Sequence, residues 1–196
     1  MINLVLFGPP GSGKGTQAKL IVNHHGLIHI STGDVFRKNI KDNTALGQLA
    51  RSYMDKGQLV PDQVTIDLLS SELDSCSESK GFIFDGFPRT ILQAQNLDVL
   101  MDNKNMDISM VISLEVSENE LVKRLLNRGL DSGRADDKDE GVIRNRIQVY
   151  ENQTSVLKKY YSEKLENAFF SIDGERNIDD IFSDIKKILV KYKIDI

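Results

Sequence analysis

The stretch Gly8 to Thr16, "GPPGSGKGT", has the G-x-x-x-x-G-K spacing of a loop that wraps phosphates. Such loops usually continue with a hydroxyl that binds Mg²⁺, and here that position is Gly15. Glycines let the backbone approach an anion closely, so Gly11, Ser12, Gly13, Gly15 and Thr16 are candidates to cradle phosphates with N–H groups. Lys14 would place a point charge on the outer ones. The hydroxyl comes one residue late, at Thr16, so a metal would need another anchor. Asp85, in "FIFDGFPRT" (Phe82 to Thr90), ends an apolar run and suits Mg²⁺ directly or through a bound water. The plainer reading of Asp85 is a cap for the next helix.

A second grouping is cationic. Of nine arginines, five (Arg124, Arg128, Arg134, Arg144 and Arg146) fall between residues 124 and 146. Arg124 and Arg128 are four apart, on one helical face, where like charges repel unless an anion or carboxylates compensate them. Arg134 stands beside Asp136 and Asp137, which can hold its guanidinium or a neighbouring one. Arg144 and Arg146 are two apart and point to different sides of a helix, so only one of them is expected at a site. Another arginine, Arg37, ends "STGDVFR" (Ser31 to Arg37), a segment that alone reads as ordinary helix capping. The chain as a whole is acidic, with formal net charge −4 and pI about 5.4, so no general nucleic-acid or anionic-membrane surface is expected. A small anion is the better partner.

The elements that must position these residues follow from hydrophobic patterning. Ile2 to Phe7 is a short apolar run ending in Gly and Pro, hence a buried strand, and Lys14 to His25 reads as a helix. Comparable runs at Leu27 to Ile30, Phe82 to Phe84, Met110 to Leu114 and Phe169 to Ile172 predict five strands alternating with helices, an α/β fold with a parallel sheet covered on both faces. The last helix starts after Asn177, with Ile178, Ile181, Phe182, Ile185, Ile188 and Leu189 on one face. Between the second and third strands lie about fifty residues, more than one crossover needs, which predicts a helical insertion near Ser31 to Val60. "LDSGRADDKD", Leu130 to Asp139, reads as a mobile loop between two helices.

In order and spacing, "GPPGSGKGTQA", "STGDVFR", "MDKGQLVPD", "DGFPRTILQAQ", "RGLDSGRADD" and "IRNRI" make the chain resemble the adenylate kinase family over nearly its whole length. The resemblance implies a P-loop three-layer fold: a core of residues 1–30, 61–126 and 140–196, an AMP-binding insertion at 31–60, and a short lid at 127–139. It implies reversible phosphoryl transfer from Mg·ATP to AMP, giving two ADP. Carried over by position, Gly11 to Thr16 wrap the ATP phosphates, with Lys14 on the outer ones. Thr32, Arg37, Gln58, Leu59, Val60, Gly86, Phe87, Pro88, Arg89 and Gln93 form the AMP site. There Arg37 and Arg89 clamp the phosphate and Gln93 reads the adenine edge. Arg124 and Arg128 serve ATP, Arg134 and Arg146 reach the reacting phosphates, and Gly174 in "SIDGER" offers its backbone to the ATP adenine. The lid is the short type, without zinc. "DDKDEGVIRNRI" is one residue longer than the commonest family spacing, which leaves the choice between Arg144 and Arg146 open.

Transfer between phosphates needs no general base, because the accepting oxygen is already anionic. None is nominated: His24, His25 and His29 are expected away from the site. Gly129 and Gly133 flank the expected loop and are read as its hinges. Two rival readings are a pyrimidine nucleoside monophosphate kinase and a non-catalytic nucleotide binder. A GTPase is disfavoured, since Asn103-Lys104-Asn105-Met106 lacks the Asp of the guanine signature. Cys76 is the only cysteine, and no run is long enough for a membrane span, so the expectation is a soluble, cytoplasmic protein; a monomer is expected separately, not from these features.

Overall fold

Alternation along each strand sorts the core into two layers. The computed structural model describes residues 1–76 and 79–192. Its strands are β1 (Ile2–Phe7), β2 (Ile28–Ser31), β3 (Gly81–Asp85), β4 (Met110–Glu115) and β5 (Phe169–Asp173). They form one parallel sheet in the order β2-β3-β1-β4-β5. Side chains point alternately to its two faces. Val5, Phe7, Phe82, Phe84 and Val111 face one layer of helices, whereas Leu4, Leu6, Ile83, Met110 and Ile112 face the other. Burial on both sides accounts for the unbroken apolar runs.

The helices are α1 (Lys14–His25), α2 (Thr32–Lys41), α3 (Ala45–Met54), α4 (Asp62–Asp74), α5 (Ile91–Asn103), α6 (Glu118–Ser132), α7 (Glu140–Val149), α8 (Leu157–Lys164) and α9 (Ile178–Lys191). A 3-10 turn at Ala135–Asp137 precedes α7, and a π-helical turn at Tyr150–Thr154 joins α7 to α8. Layer by layer, α1 and α9 cover one face of the sheet, with Ile21, Ile181, Phe182, Ile185 and Leu189 buried there, and α4, α5 and α8 supply the opposite core. Asn177 caps α9 by accepting from the backbone N–H of Asp180. Between β2 and β3, helices α2 and α3 carry a small core of their own around Phe36, Ala50 and Val60.

Two expectations change. Strands β2 to β5 run one residue past the predicted ends at their carboxyl side, because the backbone ladder continues through polar residues: Ser31 pairs with Asp85, and Glu115 with Asp173. The predicted loop at Leu130 to Asp139 is largely ordered structure. Its first three residues complete α6, and Asp136 and Asp137 are buried in the 3-10 turn. Gly129 therefore lies inside a helix and cannot be a loop boundary. A Cβ there would come 2.5 Å from the Asp137 carbonyl oxygen, so its missing side chain lets that segment pack on α6. Gly133, with φ 67°, ends the helix in open space.

Candidate active site

Strand order places the chemistry. β1 is central, with β3 on one side and β4 on the other, so the loop leaving β1 opens at the carboxyl edge where the order reverses. The register sets Leu6 beside Asp85, bringing the end of β3 next to that loop. Gly13 occupies the cap position of α1 with φ 99°, a left-handed conformation that favours glycine, and no side chain caps the helix. The first turn of α1 thus keeps N–H groups and a positive dipole end for a ligand.

Lys14 folds back over this loop. Its Nζ donates to the carbonyl oxygens of Gly8 (2.8 Å) and Pro9 (2.9 Å), with the Ser12 hydroxyl at 3.4 Å. Burial lowers its pKa to about 8, with Asp85 opposing the shift and Arg89, Arg128 and Arg146 adding to it. Thr16 is exposed at the mouth. Gly15 lies close to Asp85: a Cβ there would be 3.6 Å from Oδ2.

The turn after β3 is fixed by one carbonyl. Gly86 O accepts from the Thr32 hydroxyl (2.9 Å) and from Arg89 Nε (2.7 Å). Gly86 has φ 75°, and a Cβ there would meet Arg89 Nη2 at 2.8 Å. Only glycine lets the guanidinium fold over this turn. Burial disfavours the charge of Arg89, Arg146 beside it adds to that, and Asp85 partly offsets both. Thr90, not Asp85, caps α5. The capping alternative for Asp85 is therefore removed, and its carboxylate faces the cleft with 13% side-chain exposure. Burial works against ionising Asp85, but hydrogen bonding from His29 and the charges of Lys14 and Arg89 hold its pKa below the usual range.

His29 is a correction to the sequence reading. Its Nε2 lies 3.3 Å from Asp85 Oδ2, and the residue lines the cleft instead of lying away from it. The pairing register that puts β2 beside β3 brings the two together, and no local motif records it. His24 and His25 end α1, where His24 packs on Phe182 of α9. Tyr150, also unforeseen, lines the same cleft from the π-helical turn.

The arginines sort by their partners. Asp137, with no side-chain exposure, holds Arg128 through Nε (2.6 Å) and Nη2 (3.0 Å) and Arg146 through Nη1 (2.5 Å). Arg146 also donates to the Asp136 carbonyl oxygen at 2.9 Å. Arg134 does not use these carboxylates. It reaches Asp34 of α2 at 3.3 Å, and Asp34 also pairs with Arg37. Arg124 donates to Glu120 (2.8 Å) and to Gly174 O (2.9 Å), which puts Gly174 at the same edge. Arg144 turns outward to Glu118 and Glu140, whereas Arg146 lines the cleft. Of that pair, Arg146 is the one at the site.

One cleft of about 420 Å³ gathers almost all the predicted residues: the loop, Thr32, Arg37, Gln58 to Val60, Gly86 to Arg89, Gln93, Arg124, Arg128, Arg134 and Arg146. Ser12 is buried beneath the loop and Gly174 lies outside the lining, tied to it through Arg124. Among the described residues, no group of three or more His, Cys, Asp or Glu side chains could hold a metal. A lone carboxylate beside a phosphate loop instead fits a hydrated cation that draws its other ligands from phosphate, as Mg²⁺ does. No helix among the described residues is long and apolar enough to cross a membrane.

Six arginines and Lys14 converge here on few carboxylates, which is a demand for phosphate oxygens. On a parallel sheet with a glycine loop at its carboxyl edge, that demand defines a P-loop nucleotide-binding protein. Comparison with known proteins narrows the class. The family model described as Adenylate kinase matches residues 6–166. The adenylate kinase of Bacteroides fragilis is 52% identical over 187 residues, covering 95% of this chain and 97% of the relative. That of Flavobacterium psychrophilum is 50% identical over 189 residues (96% and 98%), and that of Methanosarcina barkeri 42% over 217 (97% and 100%). This chain belongs to the adenylate kinase family, and it is a phosphotransferase.

Proposed function

We propose that this enzyme transfers the terminal phosphoryl group of Mg·ATP reversibly to AMP, giving two ADP, by positioning and charge neutralisation alone. The observation that carries the reading is the mutual repulsion built into the cleft. Burial and Arg146 disfavour the charge on Arg89, while burial, Arg37 and Arg128 disfavour that on Arg134. Anionic oxygens would relieve all of these at once. In this reading residues 31–60 bind the acceptor and residues 127–139 close over the donor.

ATP phosphates lie along the loop, drawn by the α1 dipole and N–H groups, with Lys14 moving from the Gly8 and Pro9 carbonyls onto them. Arg37 and Arg89 grip the AMP phosphate in planar forks, while Arg128, Arg134 and Arg146 neutralise the charge that spreads over the transferred group. Thr32 and Gln93 face the acceptor base, and Arg124 with the Gly174 backbone flanks the donor base. Mg²⁺, when bound with ATP, supplies further charge neutralisation on the phosphates; Asp85 would hold one side of its water shell. The acceptor oxygen is anionic, so no side chain needs to remove a proton. The enzyme is read as a cytoplasmic monomer acting on free nucleotides, with no nucleic-acid or membrane partner and no zinc.

A coupled assay for ADP formation from ATP and AMP with Mg²⁺ tests this. Expected is rapid turnover with AMP, little with CMP, UMP or GMP, and negligible ATP hydrolysis without acceptor. Preference for a pyrimidine acceptor overturns the substrate assignment.

A further inference from the structure

Gln93 is 1% exposed, and its amide is gripped from both ends. Oε1 accepts from the backbone N–H of Arg89 at 2.8 Å, and Nε2 donates to Asp62 Oδ1 at 2.8 Å. The other oxygen of Asp62 accepts from the Thr90 hydroxyl at 3.1 Å, and that hydroxyl in turn accepts from the Gln93 backbone N–H at 3.2 Å. Asp62 opens α4 and Thr90 caps α5, so two helix N-termini meet on one carboxylate. Asp62 itself does not line the cleft.

Both partners of the amide have a single polarity. A backbone N–H only donates, and a carboxylate only accepts. Turning the amide over would set Oε1 against the carboxylate and the NH₂ group against the Arg89 N–H, leaving buried groups without partners. One N–H and one oxygen lone pair stay available to a ligand, in an order that cannot invert.

That order separates two purine classes. A 6-aminopurine presents a donor at position 6 beside an acceptor at position 1, and a 6-oxopurine presents the reverse. An amide free to turn serves either. Building on the reading that Gln93 faces the acceptor base, we infer that Asp62 is a positioning residue for specificity: it locks the Gln93 amide to favour 6-aminopurine monophosphates and reject 6-oxopurine ones.

The experiment compares AMP with inosine monophosphate as acceptor, measuring kcat and KM for the wild type, Asp62→Asn, Asp62→Ala and Gln93→Ala. Asparagine keeps the shape but can turn a carbonyl or an NH₂ toward Gln93. Both Asp62 variants should compress the AMP-to-IMP ratio of kcat/KM by about tenfold or more, because rejection by an unpaired polar group is lost. The change should lie in acceptor KM, rising for AMP and falling for IMP, with KM for ATP unmoved. Damage to packing alone would weaken both acceptors in parallel. If Asp62→Ala does not fold, the isosteric Asp62→Asn carries the test, together with equilibrium binding of AMP and IMP. A ratio unchanged by the Asp62 variants but collapsed by Gln93→Ala overturns the lock and leaves the site reading intact. A ratio that survives Gln93→Ala overturns both.

Discussion

The phosphate loop and the arginine cluster face each other across one cleft, yet they are held by opposite means. Local backbone shapes the loop: a strand end, a left-handed Gly13, and a helix start with no side-chain cap. The cluster is set by side-chain carboxylates instead, one of which links distant parts of the chain. Asp137 fixes Arg128 and Arg146, and Asp34 holds Arg37 together with Arg134, one hundred positions away. A loop of the first kind is built before any ligand arrives. A cluster of the second kind keeps its guanidiniums on internal anions that phosphates must replace or supplement.

Breaking the loop side should give the largest effect. Lys14→Met removes its one cation and leaves the backbone cradle in place. Turnover is expected to fall by on the order of 10²–10³, the usual loss when one preorganised charge stabiliser is deleted. Thermal stability should hold or rise, since burying an ammonium without a full set of anions is costly. Steady-state kinetics beside a melting curve checks both; a large loss of stability would mean that Lys14 is part of the scaffold.

Asp137→Ala attacks the cluster without touching any cation. The carboxylate is fully buried and serves two guanidiniums, so the expected destabilisation is about 2–3 kcal/mol, kept to that level because Arg128 is a third exposed. Turnover should drop by about 10²-fold through misplacement of Arg128 and Arg146. Denaturant unfolding and kcat measured on the same sample separate the two losses. If kcat is unchanged in folded protein, Asp137 does not position the arginines for chemistry.

This division also marks what could be read from the chain. Gly8 to Thr16 was legible because its spacing, strand and helix are contiguous, and the backbone geometry they impose is local. Asp85 was legible as a strand-end carboxylate for the same reason. The partners of the arginines were not. Asp136 and Asp137 stood near the right residues, but their choice of Arg128 and Arg146 over Arg134 depends on how the 3-10 turn folds back onto α6, which needs Gly129 at the crossing. The place of Arg146 at the cleft and of Arg144 in solvent followed from helix geometry only as an either-or. His29 was missed because the pairing of β2 with β3 brings it to the cleft, and the contact of Asp62 with Gln93 was missed because it arises only where α4 meets α5.

The last expected effect is smaller and separates the two regions by chemistry alone. An ammonium titrates within reach of ordinary buffers, whereas guanidiniums stay charged. Burial lowers Lys14 to about pH 8 in the free protein, and bound phosphates would raise it. ATP affinity should therefore be flat below pH 8 and decline above it, by up to about tenfold per pH unit, because binding must then take up a proton. If AMP rests on Arg37 and Arg89 as proposed, it should bind evenly from pH 7.5 to 9.5. The free protein's stability responds with the opposite sign. Between pH 8 and the ordinary lysine value of 10.5 the unfolded chain holds more protons at this group, so the cost of burying Lys14 shrinks as pH rises. Calorimetric titrations of each nucleotide at three pH values, with Lys14→Met as reference, measure this directly. Parallel slopes for ATP and AMP would show that the ammonium and the guanidiniums act on one shared set of oxygens, and the separation between backbone-built loop and carboxylate-held cluster would not extend to function.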